Sequence, residues 1–233
     1  MIYGVILAGG IGSRMGNMDK PKQYLHIGKK PIIVHTVEKF VIEPFDKVIV
    51  LCPKQWLAYT KELLSKFIPE NDVIVIEGGD SRNETIMNAV SYIDNNWGID
   101  DKTAVVTHDA VRPFVTHRII EENIAYAIRG IACDTVLPST DTIVESEDGK
   151  TISFIPDRKK CFQGQTPQSF KAGKFRDLYN SLSDDEKSAL TDAAKVFTVK
   201  GESVALVRGE AFNIKVTYPY DLQLAETLLG GDF

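Results

Sequence analysis

The feature that most constrains this fold is an alternation of short apolar runs with helix-period segments over about the first 140 residues. Ile2 to Leu7 is typical of a buried strand, and similar runs lie at 48–51, 73–76, 104–107 and 135–137. Between them, apolar residues recur every three to four positions, as on one face of a helix. Strands that alternate with helices predict a parallel sheet covered on both faces. We therefore predict an α/β, Rossmann-like fold with a mostly parallel sheet.

A different pattern begins after residue 138. Two short β-prone runs, Asp141 to Glu145 and Thr151 to Ile155, flank the turn-forming sequence Glu147-Asp148-Gly149-Lys150. This pattern predicts a two-stranded β-arm over about residues 139–160. Because an isolated hairpin is only marginally stable, we expect a second copy of the chain to cover the arm.

The remaining residues predict helices mixed with short strands. Strands are expected at 204–207 and 214–217, and Pro219 is placed to open a last helix. The chain has neither an internal repeat nor a low-complexity linker. Residues 1–233 are therefore interpreted as one domain that carries the inserted arm.

Charge and cysteine content argue against several classes of protein. The 32 acidic and 27 basic side chains give a net charge of -5, and no Lys/Arg-rich run is present to bind nucleic acid. Three separate cysteines, Cys52, Cys133 and Cys161, form no zinc or disulfide pattern. No apolar stretch approaches the roughly 18 residues of a membrane span, and the first residues lack the basic region of a signal peptide. We expect a cytoplasmic protein without membrane or nucleic-acid partners.

The first strand leads directly into a glycine-rich loop. Leu7-Ala8-Gly9-Gly10-Ile11-Gly12-Ser13-Arg14-Met15-Gly16 is followed closely by Pro21-Lys22-Gln23. Glycines let backbone N–H groups approach an anion, and Arg14 and Lys22 add two cations. The spacing matches neither the GxxxxGK[ST] phosphate loop nor the GxGxxG dinucleotide fingerprint. We interpret the loop as a triphosphate site, and a tight structural turn is the alternative explanation for the glycines.

Together with later motifs, this loop resembles the signature of the cytidylyltransferases that act on methylerythritol phosphate and ribitol phosphate. The later matches are Gly78-Gly79-Asp80-Ser81-Arg82, His108-Asp109-Ala110-Val111-Arg112-Pro113-Phe114, Gln165-Thr166-Pro167-Gln168, Thr191-Asp192 and Asn213-Ile214-Lys215-Val216-Thr217. The resemblance extends from residue 2 to about residue 229. Segments 141–146, 155–158 and 163–168 are more similar to the ribitol 5-phosphate enzymes of teichoic acid synthesis.

The resemblance implies a role for each matching residue. Nucleotide binding is implied for Leu7, Ala8, Gly9, Gly10, Gly79, Asp80, Arg82, Asn83, Thr85, Asp109, Ala110 and Arg112. Positioning of the acceptor is implied for Arg158, Lys215, Thr142, Thr166 and Thr191. Arg14 and Lys22 are the expected catalytic residues, because they are the cations available where negative charge builds on the α-phosphate. Mg²⁺ is the expected cofactor, with Asp109 as its carboxylate ligand.

The resemblance implies transfer of CMP from CTP to the alditol phosphate D-ribitol 5-phosphate, with CDP-ribitol and pyrophosphate as products. Methylerythritol phosphate is the alternative acceptor. A homodimer is expected, in which the arm lends Arg158 to the neighbouring site, and a ribulose 5-phosphate reductase is a candidate partner. A nucleotide-binding regulatory module without turnover is the rival class, and intact Arg14, Lys22 and Asp109 argue against it.

Three assignments have simpler structural alternatives. Arg112 would hold its turn by pairing with Asp109, and Lys215 would be a solvated residue at a strand edge. Asp192, with Thr191 before it, would be an ordinary helix cap.

Overall fold

The computed structural model describes residues 1–10, 15, 19–69 and 72–230, and within these ranges a seven-stranded sheet forms the centre of the molecule. The strands are β1 (Ile2–Leu7), β2 (His26–Ile27), β3 (Lys30–Pro31), β4 (Lys47–Cys52), β5 (Val73–Glu77), β6 (Ala104–Asp109), β7 (Cys133–Pro138), β8 (Phe162–Lys171) and β9 (Ala205–Arg208). The central sheet has the order β5-β4-β1-β6-β8-β7-β9, and β2 pairs with β3 in a separate hairpin. All pairs in the central sheet are parallel except those of β8. The predicted α/β fold with a mostly parallel sheet is confirmed.

Helices cover both faces of this sheet. They are α1 (Ile32–Val41), α2 (Leu57–Ser65), α3 (Arg82–Trp97), α4 (His117–Ile128), α5 (Ala172–Asn180), α6 (Asp184–Ser188), α7 (Ala193–Val199) and α8 (Pro219–Gly230). One core cluster joins the sheet to α1, α2 and α4, and the other joins it to α3, α5 and α7. Val5 and Ile6 of β1 are both fully buried but belong to opposite clusters, because successive side chains of a strand point to opposite faces. No helix in the described ranges is both long enough and apolar enough to cross a lipid bilayer.

Strand β8 was not predicted from the sequence. Its proline, Pro167, removes a backbone donor and argues against an interior strand. In the structure, the pairing of β8 with β6 ends at Gln168, and its register with β7 shifts between Asp134 and Val136. Pro167 therefore lies where the ladder is interrupted, and the sheet tolerates it.

The arm over residues 139–160 is less regular than predicted. It leaves the sheet between β7 and β8, but a single bridge between Glu145 and Phe154 replaces the two predicted strands. Asp148 closes its turn by accepting hydrogen bonds from the N–H groups of Lys150 and Thr151. The strand prediction is wrong, and no part of the chain that the structure describes covers the arm. Half or more of each side chain is exposed at Val144, Ile152, Phe154 and Ile155.

The predicted strand at 214–217 is also absent from the described structure. Val216 donates its N–H to the carbonyl of Val111, and Thr217 donates its N–H to the Asp221 carboxylate. These bonds fasten an irregular segment against the turn that follows β6. Lys215 is thereby carried to the carboxyl end of the sheet.

Candidate active site

A cleft of about 330 Å³ opens beside the carboxyl ends of β1 and β6. The chain passes from β1 outward to β4 and β5 and then returns to add β6 on the other side of β1. This change of direction is a topological switch point, where α/β sheets commonly bind ligands. The described lining residues are Leu7, Ala8, Gly9, Gly10, Lys22, Gln23, Gly79, Asp80, Ser81, Arg82, Thr85, Asp109, Ala110, Val111 and Lys215. Most of the nucleotide-binding residues implied by the resemblance are thus together.

The glycine loop forms one wall of the cleft. Ala8 extends the pairing of β1 with β4 by donating its N–H to the carbonyl of Leu51. The carbonyl of Ala8 accepts a hydrogen bond of 2.7 Å from the Gln23 side-chain amide. Gly9 and Gly10 are exposed beyond it. Lys22 is buried at the start of a single helical turn and also lines the cleft. The predicted catalytic Arg14 lies outside the described residues.

The opposite wall is the tight loop before α3. Ser81 caps this helix, because its hydroxyl accepts the N–H of Glu84 while the Glu84 carboxylate accepts the N–H of Ser81. Gly79 donates its N–H to the Thr85 hydroxyl, and a Cβ at Gly79 would lie only 2.8 Å from the backbone of Glu84. Glycine is therefore required for this close approach. The positive end of α3 faces the cleft and favours an anionic ligand.

Asp109, at the end of β6, is surrounded by three cations. Its carboxylate lies 3.0 Å from the Lys215 ammonium, 3.4 Å from the Arg82 guanidinium and 3.5 Å from that of Arg112. Burial alone would raise the pKa of Asp109, but these three charges outweigh it and hold the pKa well below its usual range. One ionised carboxylate thus keeps three like charges together, and the cluster has an excess of positive charge for a phosphate.

The structure distinguishes Lys215 from Arg112. Lys215 lines the cleft, pairs with Asp109 and lies outside the strands of the described structure, so it is not a strand-edge residue. Arg112 is only 8% exposed and donates a 2.8 Å hydrogen bond to the carbonyl of Asn213 in addition to its pairing with Asp109. These contacts fit the simpler alternative, in which Arg112 holds the turn.

Beneath Asp109, a buried histidine organises the same turn. The His108 Nε2 lies 3.0 Å from the Arg112 carbonyl, and its Nδ1 lies 2.9 Å from the Thr166 hydroxyl. A carbonyl only accepts, so Nε2 carries the proton and Nδ1 accepts from Thr166. The Thr166 hydroxyl in turn accepts the backbone N–H of Asp109. Burial lowers the pKa of His108 to about 4, so the ring is neutral near neutral pH.

Several predicted site residues do not line the cleft within one chain. Arg158 donates a hydrogen bond to the carbonyl of Thr140 in the arm, where Thr142 is exposed. Thr191 is exposed before the start of α7, and Asp192 caps that helix by accepting the N–H of Lys195. The helix-cap interpretation therefore fits Asp192. Asn83 and Thr166 are buried behind the cleft wall, with 4% exposure each.

Other cleft residues were missed in the sequence. Gln23 and Val111 line the cleft and belong to motifs already recognised. Ser81 also lines the cleft, and the pattern Ser-x-x-Glu marks it as a helix cap. Gln168 was missed as a site residue, although it holds Arg82 through a hydrogen bond of 3.1 Å. No local signal marks that contact, since the two residues are 86 positions apart.

Comparison with known proteins identifies the family. A family model described as IspD, 2-C-methyl-D-erythritol 4-phosphate cytidylyltransferase, matches residues 2–231. The chain belongs to this cytidylyltransferase family. It is a nucleotidyltransferase that uses CTP, as the motifs predicted.

Similar solved structures include other members of the IspD family. A 4-diphosphocytidyl-2C-methyl-D-erythritol synthase is 26% identical, with 98% of each chain covered and a TM-score of 0.81. The IspD of Francisella tularensis is 26% identical, with 97% of this chain and 98% of that chain covered and a TM-score of 0.80. The 2-C-methyl-D-erythritol 4-phosphate cytidylyltransferase of Thermus thermophilus is 26% identical, with 98% of each chain covered and a TM-score of 0.72.

The neutral state of His108 leads to a prediction about stability. Its folded pKa of about 4 is below the ordinary 6.5, so the unfolded chain takes up the proton first as the pH falls. The stabilising contribution is therefore complete above pH 6.5 and is lost as the pH falls toward 4. Between about pH 7.5 and pH 5, we expect a loss of about 2 kcal/mol in the free energy of unfolding from this residue.

Urea unfolding of the wild type and of His108→Gln at the two pH values measures this loss. At the higher pH, His108→Gln should be less stable than the wild type. On acidification, its free energy of unfolding should fall by about 2 kcal/mol less than that of the wild type. Equal losses in the two proteins would contradict the prediction.

Proposed function

We propose that this protein transfers CMP from CTP to D-ribitol 5-phosphate and releases CDP-ribitol and pyrophosphate. The observation that carries the proposal is the cation cluster around Asp109, set in a switch-point cleft of a cytidylyltransferase fold. The choice of ribitol is supported by the resemblance of segments 141–146, 155–158 and 163–168 to the ribitol enzymes. Methylerythritol phosphate is the alternative acceptor, and the names of the family and of the similar structures favour it.

The nucleotide is proposed to bind between the two loops of the cleft. Backbone N–H groups at Gly9 and Gly10 and the start of α3 would face the phosphates, with Lys22 beside them. The further nucleotide contacts remain those implied by the resemblance. They are Leu7, Ala8, Gly79, Asp80, Arg82, Asn83, Thr85, Asp109, Ala110 and Arg112.

The chemistry needs little beyond position and charge. The acceptor phosphate is largely a dianion near neutral pH, because its second pKa is about 6, so no general base is required. One of its oxygens bonds to the α-phosphorus of CTP as the bond from that phosphorus to the pyrophosphate oxygen breaks. Lys22 and Arg14 are proposed to stabilise the negative charge that builds up during this exchange.

The carboxylates of the cleft fit a magnesium ion that arrives with the triphosphate. Within the described residues, no group of three or more His, Cys, Asp or Glu side chains gathers to hold a metal. Mg²⁺ typically takes one or two carboxylates and completes its shell with phosphate oxygens and water. We propose Asp109 as its ligand through Oδ1, because Arg82 is the cation paired with this oxygen and a further lone pair remains, whereas Lys215 and Arg112 both pair with Oδ2. When bound, the ion would neutralise charge on the phosphates.

The acceptor site is proposed to form between two copies of one domain spanning 1–233. Lys215 lies in the cleft, whereas Arg158 and Thr142 are on the arm. Exposed apolar side chains on the arm favour its burial against a second copy, which would bring Arg158 to the neighbouring site. Thr166 and Thr191 are the further proposed acceptor residues, and a ribulose 5-phosphate reductase remains the proposed supplier of the acceptor.

Acceptor preference tests the proposed function directly. Ribitol 5-phosphate has four hydroxyl groups, whereas methylerythritol phosphate has three and a methyl branch. A polar group built to bind the extra hydroxyl costs about 1–3 kcal/mol when it is left unpaired. We expect kcat/KM, measured by pyrophosphate release from CTP, to be at least about 10-fold higher with ribitol 5-phosphate. Equal or better use of methylerythritol phosphate would make the alternative acceptor correct.

Substitution of the catalytic cations should affect turnover more than binding. Lys22→Ala and Arg14→Ala are each expected to lower kcat by roughly 100-fold, because their benefit is largest in the charged transition state. Lys20→Ala is the matched control, since its ammonium contacts the Tyr59 hydroxyl outside the cleft. An unchanged kcat with a raised KM would assign the two residues to binding alone.

A shared acceptor site predicts complementation between inactive variants. In a mixture of Arg158→Ala and Lys22→Ala proteins, each mixed dimer would contain one site with both residues intact. After full subunit exchange, about a quarter of the wild-type activity should return. No recovery in dimers shown to be mixed would place Arg158 in the site of its own chain or outside the reaction.

A further inference from the structure

A buried glutamine connects the active-site cleft to a second acidic group. Gln168 of β8 is 2% exposed, and its Oε1 accepts hydrogen bonds from the Arg82 guanidinium at 3.1 Å and the Ala193 N–H at 3.2 Å. Its Nε2 donates a 2.9 Å hydrogen bond to Oδ1 of Asp134. The partners fix the orientation of the amide, since guanidinium and N–H groups only donate. Arg82 lines the cleft, and the Gln168 side chain contacts both Arg82 and Asp134. A single side chain therefore separates Asp134 from a residue of the cleft.

Asp134 is less buried than its place in the sheet suggests. It lies on β7, between β8 and β9, directly across from Gln168, yet its side chain is only half-buried. Gly164 on the neighbouring strand is exposed, and a Cβ there would come within 3.8 Å of Oδ2 of Asp134. Gly164 has no side chain to cover Oδ2 of Asp134 from this side. Oδ1 accepts the hydrogen bond from Gln168, so Oδ2 is the oxygen next to the exposed glycine.

The charge around Asp134 indicates what kind of group would bind there. Burial raises the pKa of Asp134 to about 6 despite the hydrogen bond from Gln168, and the nearby Asp192 carboxylate adds to the rise. The Arg82 charge and a hydrogen bond from the backbone of Thr135 favour the ionised form but do not offset the burial. Two carboxylates repel an anion, and Arg82 is already engaged by Asp109 and Gln168. A neutral hydroxyl group, which donates without bringing charge, is the complementary ligand.

Asp134 is linked to residues proposed for the acceptor. Lys215, one of these residues, pairs with Asp109, and hydrogen bonds run from Asp109 through Arg82 and Gln168 to Asp134. The start of α7 packs on the same glutamine through Ala193. The Asp192 carboxylate, which is close enough to affect the pKa of Asp134, directly follows the proposed acceptor residue Thr191.

We propose that Asp134 binds a hydroxyl group of the acceptor chain and thereby selects the longer polyol. This inference rests on the proposed function, in which the acceptor is an alditol phosphate. The ribitol chain is one carbon longer than that of methylerythritol and carries one more hydroxyl group. Asp134 is thus an acceptor-binding residue, and Gln168 positions it relative to Arg82.

Asp134→Asn tests this assignment with little change of shape. The retained oxygen can still accept the hydrogen bond from Gln168, so Arg82 should keep its place. We expect the KM for ribitol 5-phosphate to rise at least about tenfold, because one charged acceptor of a hydroxyl hydrogen bond is lost. The KM for CTP and the kcat/KM for methylerythritol phosphate should each stay within about twofold, so the acceptor preference should fall by the same tenfold.

Two controls separate binding from folding. Asp177→Asn, on α5 with 73% of its side chain exposed, should leave all constants unchanged. The melting temperature of Asp134→Asn should equal or exceed that of the wild type, because a buried carboxylate with a raised pKa is replaced by a neutral amide.

The outcomes distinguish this inference from the proposed function. Equal losses with both acceptors, a raised KM for CTP or unchanged constants in Asp134→Asn would overturn the inference, even when the wild type prefers ribitol 5-phosphate. A wild type that prefers methylerythritol phosphate would overturn the proposed acceptor and with it the selection by Asp134. A wild type inactive with both acceptors would overturn the proposed function itself.

Discussion

The architecture of this site depends on the single carboxylate of Asp109. Arg82 comes from the start of α3, Arg112 from the turn after β6 and Lys215 from the segment before α8. Three cations this close would repel one another without a common counter-ion. Removing one partner of a buried ion pair leaves an uncompensated charge and commonly costs about 3–5 kcal/mol. Asp109 therefore joins three distant segments into one wall of the cleft and also limits the positive charge left for a phosphate ligand.

Neutral hydrogen bonds hold this charged cluster in place. His108, Thr166 and the Arg112 carbonyl form a buried chain that ends on the backbone N–H of Asp109. Asn213 extends the chain by accepting from Arg112 through its carbonyl and donating from its amide to the carbonyl of Thr166. The Arg112 carbonyl can only accept, so the tautomer of the histidine follows from its neighbours. Because fixed donors and charges need little reorganisation during a reaction, this rigidity suits the stabilisation of developing charge.

The two halves of the proposed reaction have different structural support. The proposed nucleotide half lies within one chain, where β1, the Gly79 loop and the end of β6 converge. The proposed acceptor half combines a cleft residue, Lys215, with the exposed arm and with Asp134. Under these proposals, changes on the arm and around β7 would alter acceptor contacts without moving the walls proposed to face CTP.

Local sequence determined the elements whose formation depends on residues next to one another in the chain. The apolar runs of β1, β4, β5, β6 and β7 predicted their strands, because burial on both faces leaves a pattern that is readable residue by residue. The glycines after β1 likewise marked a loop, and Gly9 and Gly10 lie exposed in the wall of the cleft. The family motifs identified Lys215 as a site residue but assigned it to a strand that does not form.

Tertiary structure decided the features that depend on distant partners. Strand β8 exists because β6 and β7 supply ladders on either side of a proline that locally argues against it. The strands of the arm do not form, because their apolar side chains have no cover among the residues that the structure describes. The link from Arg82 through Gln168 to Asp134 joins residues 86 and 34 positions apart. Sequence patterns record which residues are buried or turn the chain, whereas such pairings arise only when packing brings the segments together.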